Sequence, residues 1–363
     1  MSAAEGTRCP KVAVIGSGSW GTAVTGLLSP RADEVVVWSY EEEVARGINE
    51  LRHNPHQLTD YTLAPNVRAT NSMADALEGA SAVLVVVPSA FLRSTCAQLA
   101  KHADPDVPVL VLTKGVERGT GCLMADVVSQ ELGNPARVAV LSGPNHAEEI
   151  SEGKVAAAGI AAEDPAVAEL FQHLLVCPAF RVYVSPDVAG VEVCGAEKNV
   201  IAIACGIAAA LGAGDNTLAA LMTRGLAEVS RIAVALGADP LTCMGLAGMG
   251  DLVATSTSRH SRNRTFGEAF VAGESLAEYE RRTGMVVEGA EAAASILPLA
   301  EARGVQVPIT RAVHALLYEG VDMGEAIDAL LGRIPRIEFY DMRKTDDGTP
   351  ASDASEQSGA VHA

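Results

Sequence analysis

From residue 11 to about 185, short runs of β-branched and apolar residues alternate with longer segments of mixed polarity. The runs over 11–16, 34–38, 82–87, 108–113, 137–141, 154–162 and 179–184 predict strands. Two of them, SAVLVVV and VPVLVLT, are apolar without alternation, as strands covered on both faces are. Strand and helix signals in turn predict a largely parallel, doubly wound sheet with helices on both faces. After Pro186 the strand-like runs stop, and alanine- and leucine-rich segments over 188–211, 217–236, 288–303, 308–318 and 323–332 predict helices. The first is apolar nearly all round, which suits a buried central helix. The expectation is an α/β domain over 9–186, an all-α domain over 187–343 and a tail over 344–363. That tail is acidic, polar and rich in small residues, a composition that predicts disorder.

The first strand runs into a glycine turn, KVAVIGSGSWGTA, with Gly16, Gly18 and Gly21 spaced G-x-G-x-x-G ahead of a helix-forming stretch. Gly16 permits the tight turn, Gly18 lets backbone approach a pyrophosphate, and Gly21 lets the helix pack on the strand. The anion then meets free N–H groups at the helix N-terminus. This context makes the first domain Rossmann-like and a dinucleotide its ligand. Trp20, inside the motif, either covers that ligand or packs.

Composition narrows the partners. A formal charge of −18 over 363 residues argues against general attraction to nucleic acid or an anionic membrane. Any anionic ligand must be held by local basic groups. The seven cysteines are scattered without a C-x-x-C pair, which fits thiols in a reducing cytoplasm. The N-terminal MSAAEGTRCP lacks an apolar signal core, and 200–214 is too short and glycine-broken to span a bilayer, so a cytoplasmic protein is expected.

Four polar clusters stand out against these apolar surroundings. Lys198 lies in GAEKN within the apolar helix, where lost hydration lowers a lysine's pKa and suits it to proton transfer; snorkelling to the surface is the plainer alternative. Thr113-Lys114-Gly115 and Ser142-Gly143-Pro144-Asn145 each follow a strand, where doubly wound sheets place ligands. Gly250-Asp251 and Ser261-Arg262-Asn263-Arg264 add a carboxylate and a phosphate clamp. Each alone reads equally as a cap or surface ion pair. His53 and His56 lack a third ligand, so no metal is expected, and Cys194, on the helix face of Lys198, suits packing better than nucleophilic attack.

Taken in order, GSGSWGTA, VPS, TKG, SGPNHAEE, GAEKNVIAIACG, GDN, GMGDL, HSRNRTFG and MVVEG resemble the NAD(P)-dependent glycerol-3-phosphate dehydrogenases of bacterial type, from about residue 9 to 335. The resemblance implies reversible hydride transfer between NAD(P)H and dihydroxyacetone phosphate, a small phosphorylated three-carbon substrate, yielding sn-glycerol 3-phosphate for phospholipid synthesis. It assigns Lys198 as the acid and base, with Asp251 and Thr255 orienting it. Lys114, Gly143, Asn145, Asn199, Ser261, Arg262 and Asn263 match substrate positions, Arg262 and Asn263 as the phosphate pair. Gly16, Gly18, Ser19, Trp20, Gly21, Lys114, Ala147, Arg262, Val286 and Glu288 match cofactor positions. Helical second domains of the family pair, implying a homodimer.

Three positions depart from the family pattern. Asn145 stands where Ser or Thr is usual. Glu197 replaces an apolar residue; facing the site it raises the pKa of Lys198, and facing solvent it does little. After the second strand come Ser39, Tyr40 and Glu41 rather than His or Arg. A carboxylate there favours the ribose hydroxyls of NAD over the 2′-phosphate of NADP, unless Glu41 to Glu43 merely begin a helix. Two other classes fit the architecture: a reductase of a non-phosphorylated keto acid, and a dinucleotide sensor without turnover. Lys198 with its partners is more than a sensor needs.

Overall fold

The computed structural model describes residues 8–333 together with 338, 340 and 341. The tail expected to be disordered, 344–363, lies outside the described residues. The chain forms two compact units that divide between Gly195 and Ala196.

The first unit is an eight-stranded sheet in the order β3-β2-β1-β4-β5-β6-β7-β8. Its strands are β1 (Cys9–Ile15), β2 (Ala32–Trp38), β3 (Val67–Thr70), β4 (Ala82–Val85), β5 (Val109–Val111), β6 (Val138–Ser142), β7 (Ala156–Ala162) and β8 (Phe180–Ser185). All neighbours pair in parallel except β6 with β7, which is antiparallel. Strand order reverses on either side of β1, the switch point outside which such sheets bind ligands. Helices α1 (Ser19–Leu28), α2 (Glu42–Leu51), α3 (Met73–Leu77), α4 (Ser89–Leu99), α5 (Met124–Leu132), α6 (Ala147–Ser151) and α7 (Pro165–Leu175) belong to this unit. Val83, Leu84, Val109 and Leu110 are fully buried, as the non-alternating runs predict. The pattern does not predict β3: VRAT is short and half polar, and it becomes a strand by pairing with β2 over Val35–Trp38.

α8 (Val188–Ala210) carries the division between units. At 23 residues it is longer than the broken apolar stretch over 200–214, and it could cross a membrane by length and composition, but 78% of its most apolar window is buried in the protein. That burial is the mark of a core helix. The second unit continues with α9 (Asp215–Ala235), α10 (Asp251–Thr257), α11 (Arg262–Val271), α12 (Leu276–Thr283), α13 (Glu288–Ala302), α14 (Pro308–His314) and α15 (Met323–Leu331). Single π-helical turns over Leu246–Gly250 and Ala315–Glu319 lead into α10 and extend α14. The amphipathic pattern predicts the long helices and misses α10 to α12, which are short and polar. α12 nevertheless carries a readable start signal, the capping box of Ser275 and Glu278.

Candidate active site

In the first unit, the glycine turn has the geometry its spacing demands. Gly16 has φ +123°, and a Cβ there would lie 2.9 Å from the Val86 carbonyl oxygen at the end of β4. A Cβ on Gly21 would lie 2.2 Å from the Gly16 carbonyl oxygen, so only glycine lets α1 start this close to β1. At Gly18 the same construction meets nothing within 4 Å. That open cradle, at an N-cap with no side-chain capping bond, fits a pyrophosphate held by backbone N–H groups.

The turn is braced by residues that its motif does not announce. Asn54, fully buried, donates to the Ser17 carbonyl at 2.7 Å and to Thr22 Oγ1 at 2.9 Å, while its own oxygen accepts from the backbone of His56 and Gln57. Ser19 Oγ donates to Gln57 Oε1 at 2.6 Å. An asparagine between two histidines was the available signal; its reach across 37 positions to Ser17 was not readable. His56 lies 3.8 Å from Glu43, and His53 contacts the Asn54 carbonyl. Among the described residues no group of three or more His, Cys, Asp or Glu is placed to hold a metal ion.

Trp20 is half-buried with its ring 6.3 Å from that of Phe180. At the end of β2, Ser39 is buried and shares a 2.7 Å hydrogen bond with Ser17. Tyr40 is 87% exposed, and Glu41 is the N-cap residue of α2 with no side-chain capping bond. Both side chains are thus left at the surface, beside the turn that Ser39 joins to β2.

Lys114, after β5, donates to the Gly143 carbonyl at 3.3 Å and to Asn145 Oδ1 at 3.4 Å. The amide nitrogen of Asn145 is buried and has no hydrogen-bond partner. An orphaned donor beside a lysine is the kind of feature that a polar ligand satisfies. Gly143 is required sterically, since a Cβ would lie 2.7 Å from the Ala157 carbonyl oxygen in β7. Ala147, at the start of α6, is buried.

In the second unit, Lys198 does not snorkel. It is 7% exposed, and its Nζ donates to Asp251 Oδ1 at 2.5 Å and to Thr255 Oγ1 at 2.8 Å. Thr255 Oγ1 is 3.1 Å from the same carboxylate oxygen. Asp251 and Thr255 are four apart on α10 and therefore share a face. The π turn before α10 aims that face, and it needs Gly248, where a Cβ would lie 2.0 Å from the Cys243 carbonyl oxygen.

Asn199 Oδ1 accepts from Asn263 at 2.8 Å, Asn263 Oδ1 accepts from the Gly289 backbone at 2.8 Å, and Asn199 donates to Glu288 Oε2 at 3.4 Å. Each amide nitrogen retains a second N–H for a ligand. Ser261 caps α11 through the Arg264 N–H, and Arg262, the first residue of that ten-residue helix, is exposed. A guanidinium at a helix N-terminus has the chemistry to bind a phosphate. Val286 is exposed, and Glu288 opens α13.

Glu197 corrects the sequence expectation, because it faces neither Lys198's partners nor solvent. It is fully buried, with Oε1 3.0 Å from Thr310 Oγ1, and that hydroxyl is 3.2 Å from Glu228 Oε2. Burial first, and then the neighbouring Glu228 carboxyl, push Glu197 well above the usual carboxylate range. Cys194 is buried in the same helix.

Comparison with known proteins follows the same division. The family model described as NAD-dependent glycerol-3-phosphate dehydrogenase N-terminus matches residues 11–168, and its C-terminus counterpart matches 187–328. A glycerol-3-phosphate dehydrogenase (NAD(P)+) from Thermobifida fusca is 47% identical over 332 residues, covering 91% of this chain and 99% of the relative. One from Nocardia farcinica is 46% identical, covering 89% and 98%. The solved glycerol-3-phosphate dehydrogenase of Coxiella burnetii aligns with a TM-score of 0.85 at 34% identity, covering 90% of this chain and all of that one. A ketopantoate reductase from Ralstonia eutropha, at 19% identity and a TM-score of 0.57 over 88% of this chain and 99% of its own, shares the fold alone.

Proposed function

Because this chain belongs to the NAD-dependent glycerol-3-phosphate dehydrogenase family, we propose that Lys198 is the acid and base of its reaction. The protein is an NAD(P)-dependent oxidoreductase that interconverts dihydroxyacetone phosphate and sn-glycerol 3-phosphate. The reduced nicotinamide, when bound, supplies a hydride to the carbonyl carbon. The ammonium of Lys198 donates a proton to the carbonyl oxygen, and in the oxidising direction the amine takes the hydroxyl proton back. Asp251 and Thr255 aim Nζ and hold its charge without water. The buried Lys198–Asp251–Thr255 cluster is the observation that carries this reading.

The remaining residues bind and orient. Arg262 and the α11 N-terminus, with Ser261 and Asn263, hold the substrate phosphate; Asn199, Lys114, Gly143 and Asn145 address its other oxygens and the orphaned Asn145 amide finds its acceptor there. Gly16, Gly18, Ser19, Trp20 and Gly21 hold the dinucleotide, with Lys114, Ala147, Arg262, Val286 and Glu288 as further contacts. Tyr40 and Glu41 meet the adenosine ribose, where a carboxylate accepts from two hydroxyls and repels a 2′-phosphate, favouring NADH over NADPH. The reading places a homodimer in the cytoplasm, feeding glycerophospholipid synthesis.

The test is oxidation of NADH and NADPH by purified protein given dihydroxyacetone phosphate. Lys198→Ala is expected to lose about a thousandfold in kcat while still quenching with NADH; wild-type turnover in that variant sinks the assignment. Arg262→Ala is expected to raise KM for dihydroxyacetone phosphate at least about tenfold and to leave dihydroxyacetone reduction near its own low value. Equal losses on both would remove Arg262 from the phosphate.

A further inference from the structure

Four polar groups lie buried behind Lys198, in a part of the helical unit that the reaction does not use. Glu197 belongs to α8, Glu228 and Arg231 to α9, and Thr310 to α14; all are at most 2% exposed. Cys243, from the turn Pro240–Met244, also faces Glu197. Lys198 follows Glu197 in α8, about 100° around the helix axis.

Proton counting determines the charge of this cluster. Thr310 Oγ1 touches both carboxyls, at 3.0 Å to Glu197 and 3.2 Å to Glu228, but a hydroxyl has one proton to donate. With both carboxylates ionised, one contact sets two acceptors against each other. Glu228 is the member better equipped to be the anion, above about pH 7: its oxygens accept from the backbone of Ile309 at 2.6 Å and of Thr310 at 3.2 Å, and these donors, with Arg231 nearby, limit the rise that burial causes to about 7. Glu197 shares the nearby Arg231 but, among the described residues, has Thr310 as its hydrogen-bond partner and no backbone donor, and its Oε2 is buried with no hydrogen-bond partner. A bare carboxylate oxygen at that depth is far costlier than a bare carbonyl oxygen of a neutral acid.

We propose that Glu197 is a positioning residue held as the neutral acid: its O–H donates to Thr310, whose own O–H donates to Glu228, the member that ionises first as pH rises. The relay ties the turn of α8 that carries Lys198 to the start of α14, and it does so without a second negative charge beside the ammonium. The upward pressure that burial exerts on Glu197 acts in the same direction.

This inference rests on the assignment of Lys198 for its consequence, though not for the protonation state. The test combines infrared difference spectroscopy with kinetics on the full chain. Wild type minus Glu197→Gln is expected to show the carbonyl band of a protonated carboxylic acid throughout about pH 6 to 8. Gln keeps a donor for Thr310 and no charge, so its pH–rate limbs are expected to stay within about 0.3 unit of wild type, whereas removing an anion next to Lys198 would move a limb by about half a unit or more. Glu197→Leu fills the space without the bridge and is expected to lose about tenfold in kcat with KM little changed. An absent acid band, or a shifted limb in the Gln variant, overturns the neutral acid. Wild-type kcat in the Leu variant overturns the positioning role. Should Lys198→Ala retain turnover, the catalytic reading fails while the infrared band still judges Glu197.

Discussion

Lys198 keeps a cation where hydration is nearly absent, and it survives there because Asp251 and Thr255 supply what water would. Removing one side of such a pair leaves a buried charge, so Lys198→Ala is expected to cost about 3–5 kcal/mol of stability as well as turnover. Adding Asp251→Ala to that variant should restore part of the stability and none of the activity. Denaturant unfolding of the two single variants and the double variant checks this; a double variant with strictly additive losses would mean the two side chains are uncoupled. At the ribose end, Glu41→Arg should raise the ratio of kcat/KM for NADPH over NADH by about tenfold or more, since it replaces repulsion of the 2′-phosphate with a clamp. An unchanged ratio would leave Glu41 as an exposed residue at the start of α2 with no part in cofactor choice.

The elements place these side chains through a few backbone constraints, and two glycines of the same turn separate ligand binding from folding. Gly18 has room for a Cβ, and Gly21 does not. Gly18→Ala should therefore leave the unfolding midpoint within about 1 °C of wild type and raise cofactor KM about tenfold or more, because the methyl occupies the pyrophosphate's approach. Gly21→Ala should destabilise the fold by about 1–3 kcal/mol, since α1 must move off β1. Equal effects of both on stability would refute the distinction. β3 and α10 to α12 show the limit of local pattern: VRAT is held by its register with β2, and α10 is set by a π turn whose Gly248 reads in sequence only as flexibility.

Across the whole molecule, buried carboxyls make stability depend on pH. Burial raises Glu192 to about 8 against the Ala125 and Met124 N–H groups, and raises Glu228 to about 7. Both folded values exceed the unfolded one, so the folded state binds more protons in between. Their contribution to stability is present below about pH 4.5 and is lost as pH rises through about 7 to 8. The unfolding midpoint should fall between about pH 4.5 and 8 and level off above that, and Glu192→Gln should flatten the fall; a Gln variant as pH-sensitive as wild type would exclude Glu192. From the order of residues alone came the doubly wound first domain, the glycine turn, the long helices, and the suspicion attached to Lys198, Asp251 and Arg262. These are local: a period of two or 3.6, a glycine spacing, a charge in an apolar run. The pairing of Asp251 with Lys198 came from the family resemblance, and the structure gives its distance; folding alone settled Asn54 beneath the glycine turn and Thr310 between Glu197 and Glu228, partners separated by tens of residues. A hydrogen bond is made or missed within an ångström, and no sequence pattern carries distance at that precision.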